Sequence, residues 1–280
     1  MPSPLKFCDS SDSYEDAKYV IFGVPFDATV SYRSGTKFAP NEIRKASYNM
    51  ESYSIFRGVD LKDSGIFDMG DIEEYHDPED MLEEVYTVVD GIVSDHKFPI
   101  MLGGEHSISA GAIRRIKSRV VFIDAHTDFR DSYMGAKNSH ACVARRATEI
   151  VGKENVVSVG VRSVSMEEIR DGPQKYFTSF EVNSDSSKLK TFLNEFGKSP
   201  IYFSIDFDGF DPAYAPGVGT PEPFGLNPMV VMDILDSVGD KLVGLDLNEI
   251  TPTFDNGNTS MLAARIIQEV VSYLELPRNE

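Results

Sequence analysis

Short apolar runs rich in β-branched and aromatic residues recur along the chain: Tyr19 to Val24, Phe98 to Leu102, Val120 to Ile123, Val156 to Val161, Ile201 to Ile205 and Leu242 to Leu247. Runs this short, without polar alternation, predict strands buried on both faces. Between them, helix-like stretches fall at Asn41 to Met50, Pro78 to Ser94, Ser107 to Lys117, Ala141 to Val151, Ser186 to Phe196, Pro228 to Val238 and Thr259 to Leu274. Strand and helix therefore alternate, and parallel neighbours need long right-handed crossovers that cover both faces of a sheet. The pattern predicts an α/β fold, a three-layer α/β/α sandwich with a mostly parallel central sheet. No internal repeat, low-complexity tract or linker divides the chain, so residues 1–280 are expected to form a single domain. Polar stretches after Pro25, from Asp128 to Ser139 and after Asp208 are candidate rims of one site, because functional groups in this architecture collect beyond the carboxyl ends of strands.

Composition supports a folded core: 41% of residues are hydrophobic, including 18 Phe and 12 Tyr. The formal net charge of −18 opposes binding to nucleic acid or anionic lipid and draws cations toward the protein. The plainer reading of that charge is a solubilising surface. Only Cys8 and Cys142 are present, far apart in sequence, which argues against a disulfide framework and for a reducing compartment. The polar start carries no apolar signal region and no segment approaches the length of a membrane span, so a cytoplasmic location is expected.

Candidate chemistry sits where predicted strands end. The run Val120 to Ile123 leads straight into Asp124-Ala-His126-Thr-Asp128, where alternation by two puts three ligand-type side chains on one side of an extended backbone. Solvated loop acids are commonplace, but Ile201 to Ile205 ends in the same way, in Asp206-Phe-Asp208. A third strand leads into Gly103-Gly-Glu-His106-Ser107, where glycines permit a tight turn and His106 would face the same rim. Converging acids repel one another unless a cation offsets their charge. Four Asp and two His make a hard donor set without thiolate, which suits Mn²⁺, with Co²⁺, Ni²⁺ or Fe²⁺ as other occupants. Six side chains are too many for one catalytic ion. Two ions about 3.5–4 Å apart can share and acidify a water, and hydrolysis is the reaction such a pair suggests.

These segments resemble the ureohydrolases, the family that includes arginase and agmatinase. The likeness rests on Gly103 to Ser107, on Asp124 to Asp128, and on the long stretch Ser204-Ile-Asp-Phe-Asp-Gly-Phe-Asp-Pro-Ala-Tyr-Ala-Pro-Gly-Val-Gly-Thr-Pro-Glu-Pro-Phe-Gly225. Gly23 to Asp27, Arg33 to Thr36, Pro40 to Ser47 and Asp246 to Pro252 extend it over nearly the whole chain. The resemblance implies an arginase-like sandwich, assembled as a trimer or hexamer and holding two Mn²⁺ ions. It implies one ion on His106, Asp124, Asp128 and Asp206 and another on Asp124, His126, Asp206 and Asp208, with Asp124 and Asp206 bridging. It further implies that Asp128 orients the nucleophile, that Glu249 pairs with a guanidinium, and that His140 passes a proton to the leaving amine.

The chain departs from the family around the substrate. Many relatives follow the histidine at 140 with glycine and a small polar residue, whereas this chain reads Ser139-His140-Ala-Cys142. Arginases grip the substrate carboxylate with Asn and Ser at positions that hold Arg130 and Lys137 here. The remaining motifs look closer to agmatinases, which implies agmatine, a small dicationic guanidine, as substrate, with Asp131 or a nearby loop acid available for its distal amine. Arg130 and Lys137 would instead favour a carboxylate-bearing substrate such as arginine, guanidinobutyrate or formiminoglutamate, and an open cleft would admit aminopropyl-agmatine. A catalytically inactive metal-binding scaffold is the alternative of a different class.

Overall fold

Alternation along the predicted strands sorts their side chains into two separate cores. In the computed structural model, which describes residues 5–10 and 13–277, Ile21, Ile100, Val121, Val157, Phe203 and Leu245 face one apolar cluster, while Val20, Phe22, Met101, Val120, Phe122 and Tyr202 face another. A sheet is thus buried on both sides, as continuous apolar strands require.

The strands are β1 (Tyr19–Gly23), β2 (Tyr53–Ser54), β3 (Val59–Asp60), β4 (Ile66–Asp71), β5 (Phe98–Leu102), β6 (Arg119–Ile123), β7 (Val156–Val161), β8 (Lys175–Thr178), β9 (Ile201–Asp206) and β10 (Leu242–Asn248). Eight form one sheet in the order β4-β1-β5-β10-β9-β6-β7-β8, with every pair parallel. β2 and β3 pair as a small antiparallel ribbon. The helices are α1 (Ala39–Ser47), α2 (Pro78–Ser94), α3 (Ser109–Ile116), α4 (Val143–Val151), α5 (Met166–Asp171), α6 (Ser179–Ser184), α7 (Ser187–Asn194), α8 (Val230–Val238) and α9 (Asn258–Leu274). Apolar residues of α2, α3 and α4 cover one face, and those of α1, α7, α8 and α9 cover the other. The three-layer sandwich expected from the pattern is present. Among the described residues, no helix is long and apolar enough to cross a membrane.

Local chemistry explains the boundaries. Asp77 caps α2 by accepting from the Glu79 and Asp80 N–H groups, and Pro78 occupies the first turn, where its missing N–H costs nothing. Two strands of the large sheet, β4 and β8, were not evident from the sequence, and both lie at its edges. β4 reads Ile-Phe-Asp-Met-Gly-Asp, with alternating burial rather than a continuous apolar run. Its Asp68 and Asp71 receive the buried Arg44 of α1, which donates from Nε to Asp68 at 2.7 Å and from Nη1 to Asp71 at 2.5 Å. That ion pair ties the edge strand to the helix above it, where an apolar contact would ordinarily do so.

The crossovers place the functional segments. β5, β10, β9 and β6 are consecutive at the middle of the sheet although they come from distant parts of the chain. Their carboxyl ends therefore meet, and the loops that follow them converge on one crevice.

Candidate functional site

Each of these central strands delivers its polar residues as the backbone leaves the sheet. β6 runs into Asp124, β9 ends in Asp206 with Asp208 two residues beyond, β5 is followed by His106, and β10 by Glu249. Close approach of the loops needs Gly104, because a Cβ there would collide with the Phe26 carbonyl. The Gly104 carbonyl in turn accepts from the Glu249 N–H at 2.8 Å, tying the ends of β5 and β10 together. Asp128 and Glu249 both adopt positive φ, 45° and 64°, a conformation that side chains other than glycine rarely accept. Strain of this kind persists only where surrounding contacts impose it, and it gathers at functional sites.

His106 is completely buried and its two ring nitrogens have different surroundings. Nε2 lies 3.0 Å from Ser204 Oγ, which donates at 2.6 Å to Asp246. Asp246 also receives the Tyr202 hydroxyl and the Asn248 side-chain amide. The Ser204 proton being committed to Asp246, Nε2 carries the imidazole hydrogen and Nδ1 is the free ligand atom. Nδ1 makes no hydrogen bond of its own, yet it lies 3.2 Å from Asp206, 3.3 Å from Asp128 and 3.4 Å from Asp124. A buried imidazole nitrogen facing three carboxylates has the surroundings of a metal ligand. His126 occupies the other side, with Nδ1 3.0 Å from Asp208 and 3.6 Å from Asp124.

Ligand atoms of His106, Asp124, Asp128 and Asp206 lie within 4.8 Å of one another, as do those of Asp124, His126 and Asp208. Asp124 is common to both groups; Asp206 joins the first alone. Electrostatics agree with the need for positive charge. Burial and the Asp124 charge push Asp128 up to about 7, and burial with the charges of Asp208 and Asp124 holds Asp206 well above the usual carboxylate range. Burial would raise Asp208 too, but His126 and donors from Ala125 and Thr220 overcome it and hold Asp208 low. In the metal-free chain, burial alone would depress both histidines, and their carboxylate neighbours outweigh it and lift them well above 6.5. The residues present therefore fit a pair of divalent ions by donor type, tautomer and charge.

Beside this cluster is a cavity of about 300 Å³, lined among others by Asp128, Asp206, Asp208, His140 and Glu249. Glu249 accepts from the His106 N–H through Oε1 at 2.7 Å, and burial together with the Glu105 charge raises it well above the usual carboxylate value. Burial, with His126 and His106 nearby, pushes His140 down to about 4, so its ring is neutral at pH 7.

A model of the arginase family matches residues 17–272. The chain is a member of the arginase family. Within the family it is 35% identical over 277 residues to an agmatinase of Halalkalibacterium halodurans, covering 95% of each chain. It is also 35% identical over 260 residues to the N(1)-aminopropylagmatine ureohydrolase of Thermococcus kodakarensis, covering 90% of this chain and 89% of that one. The crystal structure of the agmatine ureohydrolase of Thermoplasma volcanium matches with a TM-score of 0.93 at 47% identity, over 98% of this chain and 95% of that one.

This arginase-family chain departs from its relatives' motifs at Arg130 and Lys137, which differ in their surroundings. Arg130 lines the cavity but lies over the Tyr133 ring at 5.3 Å and within 3.9 Å of Glu167 and Glu168. Lys137 is exposed, and neither it nor Asp131 is among the cavity residues. Asp131, expected as a partner for a substrate amine, instead pairs with Arg146 at 3.2 Å and Arg145 at 3.9 Å. Cys8 and Cys142 are free thiols.

Several residues of the site escaped sequence reasoning. Arg162 donates to the carbonyls of Asp208, Phe210 and Glu222, fixing the turn that carries Asp208. Thr220, within the long family motif, donates its hydroxyl to Asp208 at 2.8 Å. Glu168 is buried and holds the loop after β6 to the start of α5: it accepts from Thr127 Oγ1 and the Phe129 N–H on one oxygen and from Ser165 on the other. Burial would raise this carboxyl, but these donors outweigh it and lower it from 4.5. A carboxyl lowered in the folded state stabilises the fold above its unfolded value, and that stability is lost as pH falls through the folded value. Glu168→Gln is therefore expected to cost about 1.5–3 kcal/mol at pH 7. In thermal melts the gap from the parent should shrink as pH is lowered below 4.5; a gap independent of pH would refute an ionised Glu168.

Proposed function

We propose that this chain hydrolyses agmatine to putrescine and urea, using two divalent ions held by His106, Asp124, His126, Asp128, Asp206 and Asp208. The observation that carries the reading is Glu249, a buried carboxylate beside the ligand cluster with one oxygen held by His106 N–H and no protein cation paired with it among the described residues. A planar guanidinium is the cation that matches such a group. The carbon of a guanidinium bound there would be presented to the cluster.

A bound divalent pair supplies the positive charge that acidifies water and makes a nucleophile available at neutral pH. Asp128, beside His106 and lining the cavity, is placed to orient that nucleophile. Glu249 orients the substrate. Addition to the guanidinium carbon is followed by cleavage of its bond to the alkyl nitrogen, and the departing amine takes a proton that His140 is placed to deliver. Water thus adds across the carbon–nitrogen bond, giving urea and an amine.

Support for agmatine over arginine comes from the far side of the cavity. Arg130, the permanent cation among its lining residues, lies over the Tyr133 ring and within 3.9 Å of Glu167 and Glu168, acids whose charge weakens its pull on a substrate carboxylate. The net charge of −18 also favours a dication. Relatives named for agmatine and for its aminopropyl derivative share the same identity with this chain, so both belong in the assay. Urea release by manganese-loaded protein is expected to be at least about tenfold faster in kcat/KM on agmatine than on arginine or guanidinobutyrate, the scale of one mismatched group in a binding site. Equal efficiency on arginine would overturn the choice of substrate, and formamide release from formiminoglutamate would redirect it.

The hard oxygen and nitrogen donor set supports manganese as the resident metal. We further place the protein in the cytoplasm, as residues 1–280 acting as one ureohydrolase unit assembled into a trimer or hexamer. Exposed Phe180 and Phe224, on segments joined by a hydrogen bond from Ser179 Oγ to the Phe224 carbonyl, support a subunit interface.

A further inference from the structure

Thr29 lies in the loop after β1, in a polar stretch whose role the motifs leave open, and its hydroxyl joins two residues of the site. Oγ1 is 2.5 Å from Glu105 Oε1, receives the His140 backbone N–H at 3.1 Å, and lies 3.2 Å from His140 Nδ1. The Thr29 N–H also donates to Glu105 Oε2 at 2.6 Å. Glu105 is completely buried, and Ser107 Oγ reaches its Oε1 at 2.6 Å. Threonine is thus clamped against a carboxylate through both its backbone and its side chain, with the imidazole on its other side.

A hydroxyl has one hydrogen and two lone pairs. Glu105 acts as an acceptor throughout, taking the Thr29 N–H on one oxygen and the Ser107 hydroxyl on the other, which places the Thr29 hydrogen on its contact with Glu105 as well. Toward His140 the oxygen then offers lone pairs alone. The backbone N–H fills one, and Nδ1 satisfies the other only if it brings a hydrogen. Tyr133 meets the same ring edge-on, with centroids 5.5 Å apart, and limits its rotation.

We propose that Thr29, anchored by Glu105, is a positioning residue for His140: it fixes the imidazole as the Nδ1–H tautomer and leaves Nε2 bare as the nitrogen that exchanges a proton in the cavity. The ring is neutral at pH 7, as shown above, so its tautomer decides which nitrogen can accept. Nε2 must take up a proton before giving one to the leaving amine, and a ring held as Nε2–H would present a filled position instead. The catalytic meaning rests on the proposed hydrolysis; the tautomer itself does not.

The experiment is a long-range ¹H–¹⁵N correlation spectrum at pH 7.5 of ¹⁵N-histidine protein loaded with diamagnetic zinc, with His140 assigned through His140→Asn. The parent should show a protonated Nδ1 and an unprotonated Nε2. Thr29→Val removes the acceptor while keeping the shape, and should shift His140 toward the Nε2–H form. In manganese-loaded enzyme the same change should lower kcat on agmatine by about 10- to 100-fold, the scale known for residues that orient metal-ligating histidines, with KM changed less than about twofold. Thr29→Ser should restore both the spectrum and kcat. An Nε2–H signal in the parent, or a Thr29→Val spectrum unchanged from the parent, would overturn the proposal. If Thr29→Val does not fold, the parent spectrum still decides, and it does so even if agmatine is not turned over.

Discussion

Asp128→Asn is expected to reduce urea release from agmatine by roughly 10³-fold, the scale at which losing one member of a group that acts as a unit is felt. The substitution keeps the shape of the side chain, and asparagine accepts the positive φ of 45° at this position more readily than most residues. Folding should therefore survive, with unchanged circular dichroism. What is lost is charge: the carboxylate 3.3 Å from His106 Nδ1 becomes a neutral amide that offsets no cation. Metal content measured after dialysis should fall with activity. Full activity with full metal content would exclude Asp128 from the ligand set.

Glu249→Gln is expected to act in opposite directions on activity and stability. If Glu249 pairs with the guanidinium as proposed, its loss should lower kcat/KM for agmatine by about 10²- to 10³-fold, the range for truncating one side of a buried, hydrogen-bonded charge pair. The same carboxyl is raised well above 4.5 in the folded chain, so it destabilises the fold as pH climbs from 4.5 toward its folded value. A neutral glutamine removes that penalty, and the metal-free variant should melt at a higher temperature than the metal-free parent at pH 7. Site residues held in strained, costly environments commonly show this exchange of stability for function. A variant that melts lower while retaining kcat/KM would point to a purely structural Glu249.

The readable part of this molecule is the part governed by period and strand ends. Buried parallel strands are continuous apolar runs, so β5, β6, β7, β9 and β10 were legible nearly to the residue, and the acids that terminate β6 and β9 stood out against them. β4 and β8 were not legible because edge strands bury alternate residues, and β4 further uses Asp68 and Asp71 to bind Arg44. The six-residue helices α5 and α6 are too short for a helical period to register, although both carry capping boxes, Ser165 with Glu168 and Thr178 with Glu181.

The histidines and aspartates that cluster beyond the strand ends stand out in the sequence because chemistry and position coincide there. Thr29 and Arg162 were missed because their contacts cross between loops far apart in sequence, as do those of Glu168 with Thr127 and Phe129. Asp131 shows the reverse error: an acid on a promising loop is already satisfied by Arg146 and Arg145. Arg130 is legible as a departure from the family pattern, but only the structure shows Tyr133, Glu167 and Glu168 beside it.

A pair of divalent ions held by His106, His126 and four aspartates is expected to enable agmatine hydrolysis. The most direct test is to strip the protein with a chelator, titrate Mn²⁺ back, and follow urea release from agmatine against bound metal. The expected result is no turnover without metal and a rise that saturates at about two ions per chain, as a two-ion centre requires. Robust turnover by the metal-free protein would contradict it.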